Sequence, residues 1–271
     1  MLPYINLFGH SFGTYGIMVL IGVLVSGFFV CQVAKRRGHD NNDYIVFMLI
    51  SAIGVLIGGH IMYAITKTPS IIEFVTHIPK YAATFDDLIA NLAYIFGGSV
   101  FYGGLLGGMA AGMIYGKIKK LDMLEYSDIC TPMIPLFHCF GRIGCFLGGC
   151  CYGIESDFGF TAHGNELVPT LNDVQRFPVQ LLEASLNLLL FVALAYMLKK
   201  NVCKGKLLAI YLLTYSVIRF FDEFLRGDGY RGYLFGLSTS QIISILIFVG
   251  TLIYFAVTFI KNKKKKAEQT A

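Results

Sequence analysis

Arg142 lies inside an apolar run, within the stretch His138-Cys-Phe-Gly-Arg-Ile-Gly-Cys-Phe-Leu-Gly-Gly-Cys-Cys-Tyr-Gly153. A guanidinium presents five N–H donors in a planar fork that matches a carboxylate or a phosphate. An ionisable side chain within a membrane span marks a functional site. Gly141 and Gly144 flank it, small residues that let a neighbouring helix or a ligand approach the backbone. A second polar group follows at Tyr215, Arg219, Glu223 and Arg226, whose steps of four, four and three place them on one helical face. Glu223 is positioned to orient Arg219. One carboxylate does not neutralise Arg142, Arg219 and Arg226 together, and Asp222 projects about 100° away from Glu223 around a helix. The surplus positive charge suits a phosphate, which near a membrane surface means a phospholipid head group. The competing reading is a buried network with a purely structural role.

These residues need helices to hold them, and the composition says where those helices lie. With 271 residues, 55% hydrophobic and 14% charged, and a mean hydropathy of +0.63, the chain is too apolar for an ordinary soluble domain. The formal charge of +5 falls in clusters beside apolar runs, which reports topology and argues against nucleic acid as a partner. Apolar runs near 15–34, 44–64, 95–115, 128–149, 179–198, 207–226 and 240–260 predict seven transmembrane helices in an all-α integral membrane fold. Lys35 to Arg37, Lys117 to Lys120, Lys199 to Lys206 and Lys261 to Lys266 hold three, three, four and five basic residues, 15 of the 22 Lys and Arg. Placing all four clusters in the cytoplasm puts the N-terminus outside and the C-terminus inside. The first run is long enough to span and its charges follow it, so a cleaved signal peptide is not expected. The expectation is one polytopic domain over 1–271, with external loops near 65–94, where short interfacial helices are expected, and 152–178.

At 1.5 Å per residue, Arg142, Arg219 and Tyr102 each sit about seven residues from the outer end of their spans, roughly 10 Å deep. Gly104, Gly108 and Gly112 repeat at intervals of four in the third span and predict a tight helix crossing. Cys145, Cys150 and Cys151 have the spacing C-x4-C-C, which lacks the paired C-x2-C signature of zinc sites. They read as packing residues, with no metal or cofactor expected; a cysteine-based redox or metal-sensing protein is the less favoured class.

Together these residues resemble the prolipoprotein diacylglyceryl transferase family, bacterial membrane enzymes that move diacylglyceryl from phosphatidylglycerol to a cysteine thiol of a lipoprotein precursor. Tyr15-Gly-Ile-Met resembles its first-span motif, Phe101-Tyr-Gly-Gly-Leu-Leu-Gly107 its third, and Gly141 to Gly153 its signature. Pro178 to Glu183, Tyr215 to Glu223 and Leu237 to Gln241 resemble later blocks in the same order. The resemblance implies that Arg142 and Arg219 clamp the lipid phosphate, with Glu223 orienting Arg219. It implies that Tyr102, Tyr15 and Tyr215 offer hydroxyls, and that Gly104, Cys145, Gly153 and Arg226 line the lipid site. It also implies the bacterial cytoplasmic membrane and an external prolipoprotein acceptor. The family has histidine where this chain has Tyr102, asparagine at Cys145 and glutamate at Cys150. A same-fold lipid transferase with another acceptor is therefore the nearest alternative.

Overall fold

The computed structural model describes residues 1–7, 9–81, 83–165, 168–228, 233–234 and 236–270, with backbone alone at positions 7, 80, 101, 233–234 and 264–270. The side chains of Lys264, Lys265 and Lys266, counted in the last basic cluster, lie outside the described residues. Eleven helices are described: α1 (Thr14–Arg36), α2 (Asn41–Thr66), α3 (Thr68–Thr76), α4 (Ile78–Tyr81), α5 (Phe85–Phe96), α6 (Phe101–Lys119), α7 (Met123–Cys130), α8 (Met133–Gly148), α9 (Val179–Lys199), α10 (Leu207–Asp222) and α11 (Thr239–Thr270). Three antiparallel two-stranded hairpins join them: β1 (Tyr4–Leu7) with β2 (His10–Gly13), β3 (Glu155–Thr161) with β4 (Gln175–Arg176), and β5 (Tyr233–Leu234) with β6 (Leu237–Ser238). Five segments are long and apolar enough to cross a membrane: Thr14–Arg36, Asn41–Thr66, Met123–Gly148, Val179–Lys199 and Thr239–Lys263.

The burial pattern inverts that of a soluble protein. Leu24, Phe28, Leu49, Leu56, Leu189, Leu246 and Phe259 are exposed, while Ser26, Gln180, Glu183, Asn187, Ser216 and Ser244 are buried. Hydrocarbon solvates the first set; the second must find its hydrogen bonds inside the protein.

The chain divides into two compact units, residues 31–126 and residues 1–30 with 127–271. In the first, Asp40 caps α2 by accepting from Asn42 N at 2.9 Å, and Thr84 with Asp87 forms a capping box on α5. The region 65–94 is thus largely helical, as expected of short helices there. The apolar run 95–115 does not form one continuous helix. Gly97 to Val100 break it, and α6 begins at Phe101, so Tyr102 stands in its first turn rather than seven residues deep. His60 Nδ1 donates to the carbonyls of Phe96 (2.6 Å) and Gly98 (2.8 Å), which fixes the break. The α2–α6 crossing is built on glycine, as the spacing predicts, but its closest contacts use Gly54 and Gly58 against Gly103 and Gly107. A Cβ on Gly107 would lie 2.9 Å from Gly58 Cα, and one on Gly54 would lie 2.5 Å from the Gly107 carbonyl. Gly104 and Gly108 face Val55 instead.

The candidate span Met123–Gly148 is two helices, α7 and α8, divided at Thr131 and Pro132, and the second unit takes it up from Ser127. Asp128 in α7 accepts from the backbone N–H groups of Gly205 (2.5 Å) and Leu207 (3.1 Å), placing a carboxylate at the N-terminus of α10. α10 is followed at once by a 3-10 turn at Glu223–Leu225. The loop 152–178 is not irregular throughout, since β3 and β4 pair within it with a register shift between Glu155 and Phe160.

Gly58→Ala and Gly107→Ala should each lower stability by about 1–3 kcal/mol, because the added methyl meets backbone that cannot rotate away. Gly27→Ala, with nothing within 4 Å of its Cβ position, should be neutral or stabilising. Thermal unfolding in detergent separates the cases; equal Tm values for all three would contradict the crossing described.

Candidate active site

Arg142 lies six residues before the end of α8, and Glu183 stands one turn into α9. Both are buried, and Arg142 Nη2 is 2.7 Å from Glu183 Oε2. His138, one turn before Arg142, puts Nε2 3.5 Å from Glu183 Oε1, so one carboxylate serves two residues of one helical face. The His138 ring lies against Tyr215 of α10 at 5.3 Å, and Tyr215 stacks on Tyr211. One turn beyond Tyr215, Arg219 Nη2 lies 2.5 Å from Glu223 Oε2 and donates to Ser240 Oγ at 3.1 Å. Glu223 and Arg219 are therefore paired, one turn apart on the same face. Arg226 is held by Asp228 through two parallel bonds, Nε to Oδ1 at 2.9 Å and Nη2 to Oδ2 at 2.7 Å.

The charge count from sequence is thereby corrected. Each of the three arginines has its own carboxylate, because Glu183 and Asp228 supply the two that were not counted, and Asp222 is buried as well. No surplus of formal charge remains to demand an anion. What remains is directional. Arg142 Nε and Arg219 Nη1 are buried donors with no hydrogen-bond partner among the described residues, and a buried donor left unpaired costs about 1–3 kcal/mol. An anion accepting from both would remove that cost.

The signature's far end closes on the segment after α10. Gly153 pairs with Arg226 as an isolated antiparallel bridge, Ile154 N donates to Leu225 O at 3.0 Å, and Gly227 N to Tyr152 O at 2.9 Å. A Cβ on Gly153 would strike the Phe177 carbonyl and lie 3.1 Å from that of Leu225, so only glycine fits. Gly144 admits α1 closely, with Tyr15 Cα 3.3 Å from its Cβ position, whereas Gly141 has nothing within 4 Å. Tyr15 is half exposed. Tyr102, which is buried, and Gly104 belong to the other unit.

Three of the cysteines that read as packing residues from sequence lie together. Gly149 (φ +80°) ends α8 in the left-handed region, Cys150 N returns to Cys145 O at 3.1 Å, and Cys151 is also left-handed (φ +57°). This reversal brings the Sγ atoms of Cys145, Cys150 and Cys151 within 4.8 Å of one another. Arg142 Nη1 donates to Cys145 Sγ at 3.9 Å. Hydrogen bonding to Cys145 and Cys150, with the guanidiniums of Arg226 and Arg142, pulls the Cys151 thiol well below the usual range. Cys139, though buried, is outside this group.

Glu183 is the main residue given no role from sequence. Its signal was present, a carboxylate within the apolar run Val179 to Leu198, the same kind of signal that singled out Arg142. Asp228 and Ser240 lay outside the helical face used to choose candidates.

A family model described as prolipoprotein diacylglyceryl transferase matches residues 3–257. A phosphatidylglycerol–prolipoprotein diacylglyceryl transferase 2 of Clostridium perfringens (strain 13 / Type A) is 33% identical over 268 residues, 97% of this chain and 98% of its own. A phosphatidylglycerol–prolipoprotein diacylglyceryl transferase of Clostridium tetani (strain Massachusetts / E88) is 31% identical over 252 residues, 92% and 94% respectively. One of Pseudoalteromonas translucida (strain TAC 125) is 31% identical over 247 residues, 88% and 85%.

Glu183→Ala should destabilise the fold by about 3–5 kcal/mol, the cost of leaving a buried guanidinium without its carboxylate. Glu183→Gln should cost less, since the amide oxygen still accepts. Unfolding midpoints of the purified variants test this, and an alanine variant as stable as the parent would show that the pair is not buried as described.

Proposed function

The chain belongs to the prolipoprotein diacylglyceryl transferase family, and from that premise we propose that Arg142 and Arg219 are the residues that hold its donor phosphate. The chain is a phospholipid-dependent transferase that moves diacylglyceryl from phosphatidylglycerol to the cysteine thiol of a lipoprotein precursor. The observation that carries the site assignment is the pair of buried arginines, each ion-paired to a carboxylate through Nη2, with Arg142 Nε and Arg219 Nη1 left as buried donors without a hydrogen-bond partner among the described residues. An arginine anchored in this way is already oriented when lipid arrives, so little reorganisation accompanies binding.

In the reaction, the acceptor thiol gives up its proton to solvent and its sulfur bonds to the terminal glycerol carbon of the diacylglyceryl group. The bond from that carbon to the phosphate oxygen breaks, and its electron pair stays with the departing glycerol phosphate. Charge grows on the oxygen that Arg142 and Arg219 face, which is where fixed donors act most strongly. Glu223 and Glu183 hold the two guanidiniums in place, Gly153 keeps the loop clear of the site, and Arg226 closes it. Tyr15, Tyr102 and Tyr215 supply hydroxyls, while Gly104 and Cys145 line the lipid path. Tyr102 donates to phosphate rather than acting as a base, because a phenol of ordinary pKa about 10 takes up protons poorly at neutral pH.

The same reading places the chain in the bacterial cytoplasmic membrane as one polytopic domain with seven spans. The 19-residue α6 and 16-residue α10 join the five longer candidates, with the N-terminus outside and the C-terminus in the cytoplasm. The distribution of Lys and Arg supports that orientation.

Purified protein incubated with labelled phosphatidylglycerol and a lipobox-containing peptide should transfer label to the peptide cysteine. Arg142→Ala and Arg219→Ala should each abolish transfer, and lysine should rescue poorly because it lacks the fork. Activity retained in either alanine variant at matched expression would sink the assignment. Tyr102→Phe should lose about 1–3 kcal/mol of transition-state stabilisation, the scale of a hydrogen bond to a charged group. A nearly inactive Phe variant alongside an active Tyr102→His would instead make this position a base.

A further inference from the structure

We propose that Cys145, Cys150 and Cys151 form a three-thiolate zinc site whose open fourth position takes the acceptor's cysteine as a thiolate. This deepens the transferase reading and rests on Arg142 as a ligand of the donor phosphate. The three Sγ atoms lie within 4.8 Å of one another. Sulfurs bound to one zinc at about 2.3 Å stand roughly 4 Å apart, so the cluster needs a contraction of at most about 1 Å.

The backbone that makes the cluster is already fixed. Gly149 reverses the chain, Cys150 N bonds to Cys145 O at 3.1 Å, and Gln180 Nε2 donates to Cys150 O at 2.9 Å. Among the described residues the group contains three ligating side chains and no fourth. Zinc held by three protein ligands keeps a position for an exchangeable one, whereas a purely structural site is closed by four.

A second observation ties this cluster to the lipid. Arg142, 6% exposed, donates through Nη1 to Cys145 Sγ at 3.9 Å and keeps a buried Nε with no partner among the described residues. Donor phosphate and acceptor sulfur would thus meet across one guanidinium, which brings the two reactants together.

Zinc supplies the deprotonation that a tyrosine at 102 does poorly. On binding, the acceptor thiol releases its proton to solvent. The sulfur lone pair then forms the bond to the glycerol carbon, the carbon–oxygen bond breaks, and glycerol phosphate leaves with the electron pair. The resulting thioether carries no negative charge, binds zinc more weakly, and leaves the fourth position open again. No oxidant or reductant is consumed. A free thiol of pKa about 8.5 is only about 3% thiolate at pH 7, so holding it deprotonated is worth roughly 30-fold there and roughly 300-fold at pH 6.

The test uses the full-length protein purified in detergent under reducing conditions. About one zinc per chain is expected, lost in a Cys145→Ser, Cys150→Ser, Cys151→Ser variant. Chelation of the parent should lower transfer by roughly 30-fold at pH 7, with recovery on adding zinc. The zinc-loaded protein should hold its rate between pH 6 and pH 8, while the metal-free protein should fall about tenfold per unit of acidification. Cobalt in place of zinc should show thiolate-to-metal absorption that changes when the lipobox peptide is added and stays unchanged with its Cys→Ser form. Should the triple variant fail to fold, chelation of the parent still decides. Metal-free protein transferring lipid at full rate, a cobalt spectrum indifferent to the peptide, or a disulfide among the three cysteines would each overturn the zinc site and leave the transferase reading standing. Absence of phosphatidylglycerol-dependent transfer in metal-free and zinc-loaded protein alike would overturn the reading on which it rests.

Discussion

Arg142 and Glu183 face each other at 2.7 Å in a region that water does not reach. Neither would be tolerated there alone, since an unpaired ion in low dielectric costs several kcal/mol. The pair obliges α8 and α9 to meet at one height, and it fixes the face of α8 that carries His138. Through His138 and Tyr215 the constraint passes to α10, where Arg219 repeats the same solution with Glu223 and Ser240. The site is therefore a set of locally neutral pairs, in which the buried N–H bonds left over point in fixed directions.

The same economy of polar groups explains the glycines. Between α2 and α6 there is no aqueous driving force to gain from burying leucine, because lipid tails are equally apolar. Close backbone contact through Gly54, Gly58, Gly103 and Gly107 gives dispersion contacts that larger side chains would prevent. At Gly153 the reason differs. There the chain passes the carbonyls of Phe177 and Leu225 so closely that the loop after α8 can pair with the segment after α10.

Most helices were legible because a span announces itself through about 20 apolar residues followed by basic ones. α1, α2 and α9 begin and end within a few residues of the runs that predicted them, and α11 begins with its run but continues to Thr270. The break at Gly97 to Val100 was hidden because hydropathy does not register a helix interruption within an apolar run, and Tyr102 was consequently placed too deep. Arg142, Arg219 and Glu223 stood out as charges in apolar surroundings. Glu183 did too, but the count considered partners on one helix, and its partner lies on another. The cysteine cluster was invisible for a geometric reason: C-x4-C-C brings three sulfurs together only if the chain reverses at Gly149, and a left-handed turn leaves a glycine in the sequence without saying which way the following residues point.

Asp128 accepts hydrogen bonds from backbone groups 77 and 79 residues further along the chain. A ribosome delivers the carboxylate well before it delivers Gly205 and Leu207. Until then, the two backbone donors it meets in the folded chain have not been made. The contact between the last turn of α7 and the N-terminus of α10 can therefore close only after α9 has been made. One acid group thus ties an element made before α9 to one made after it, across 77 and 79 residues of chain.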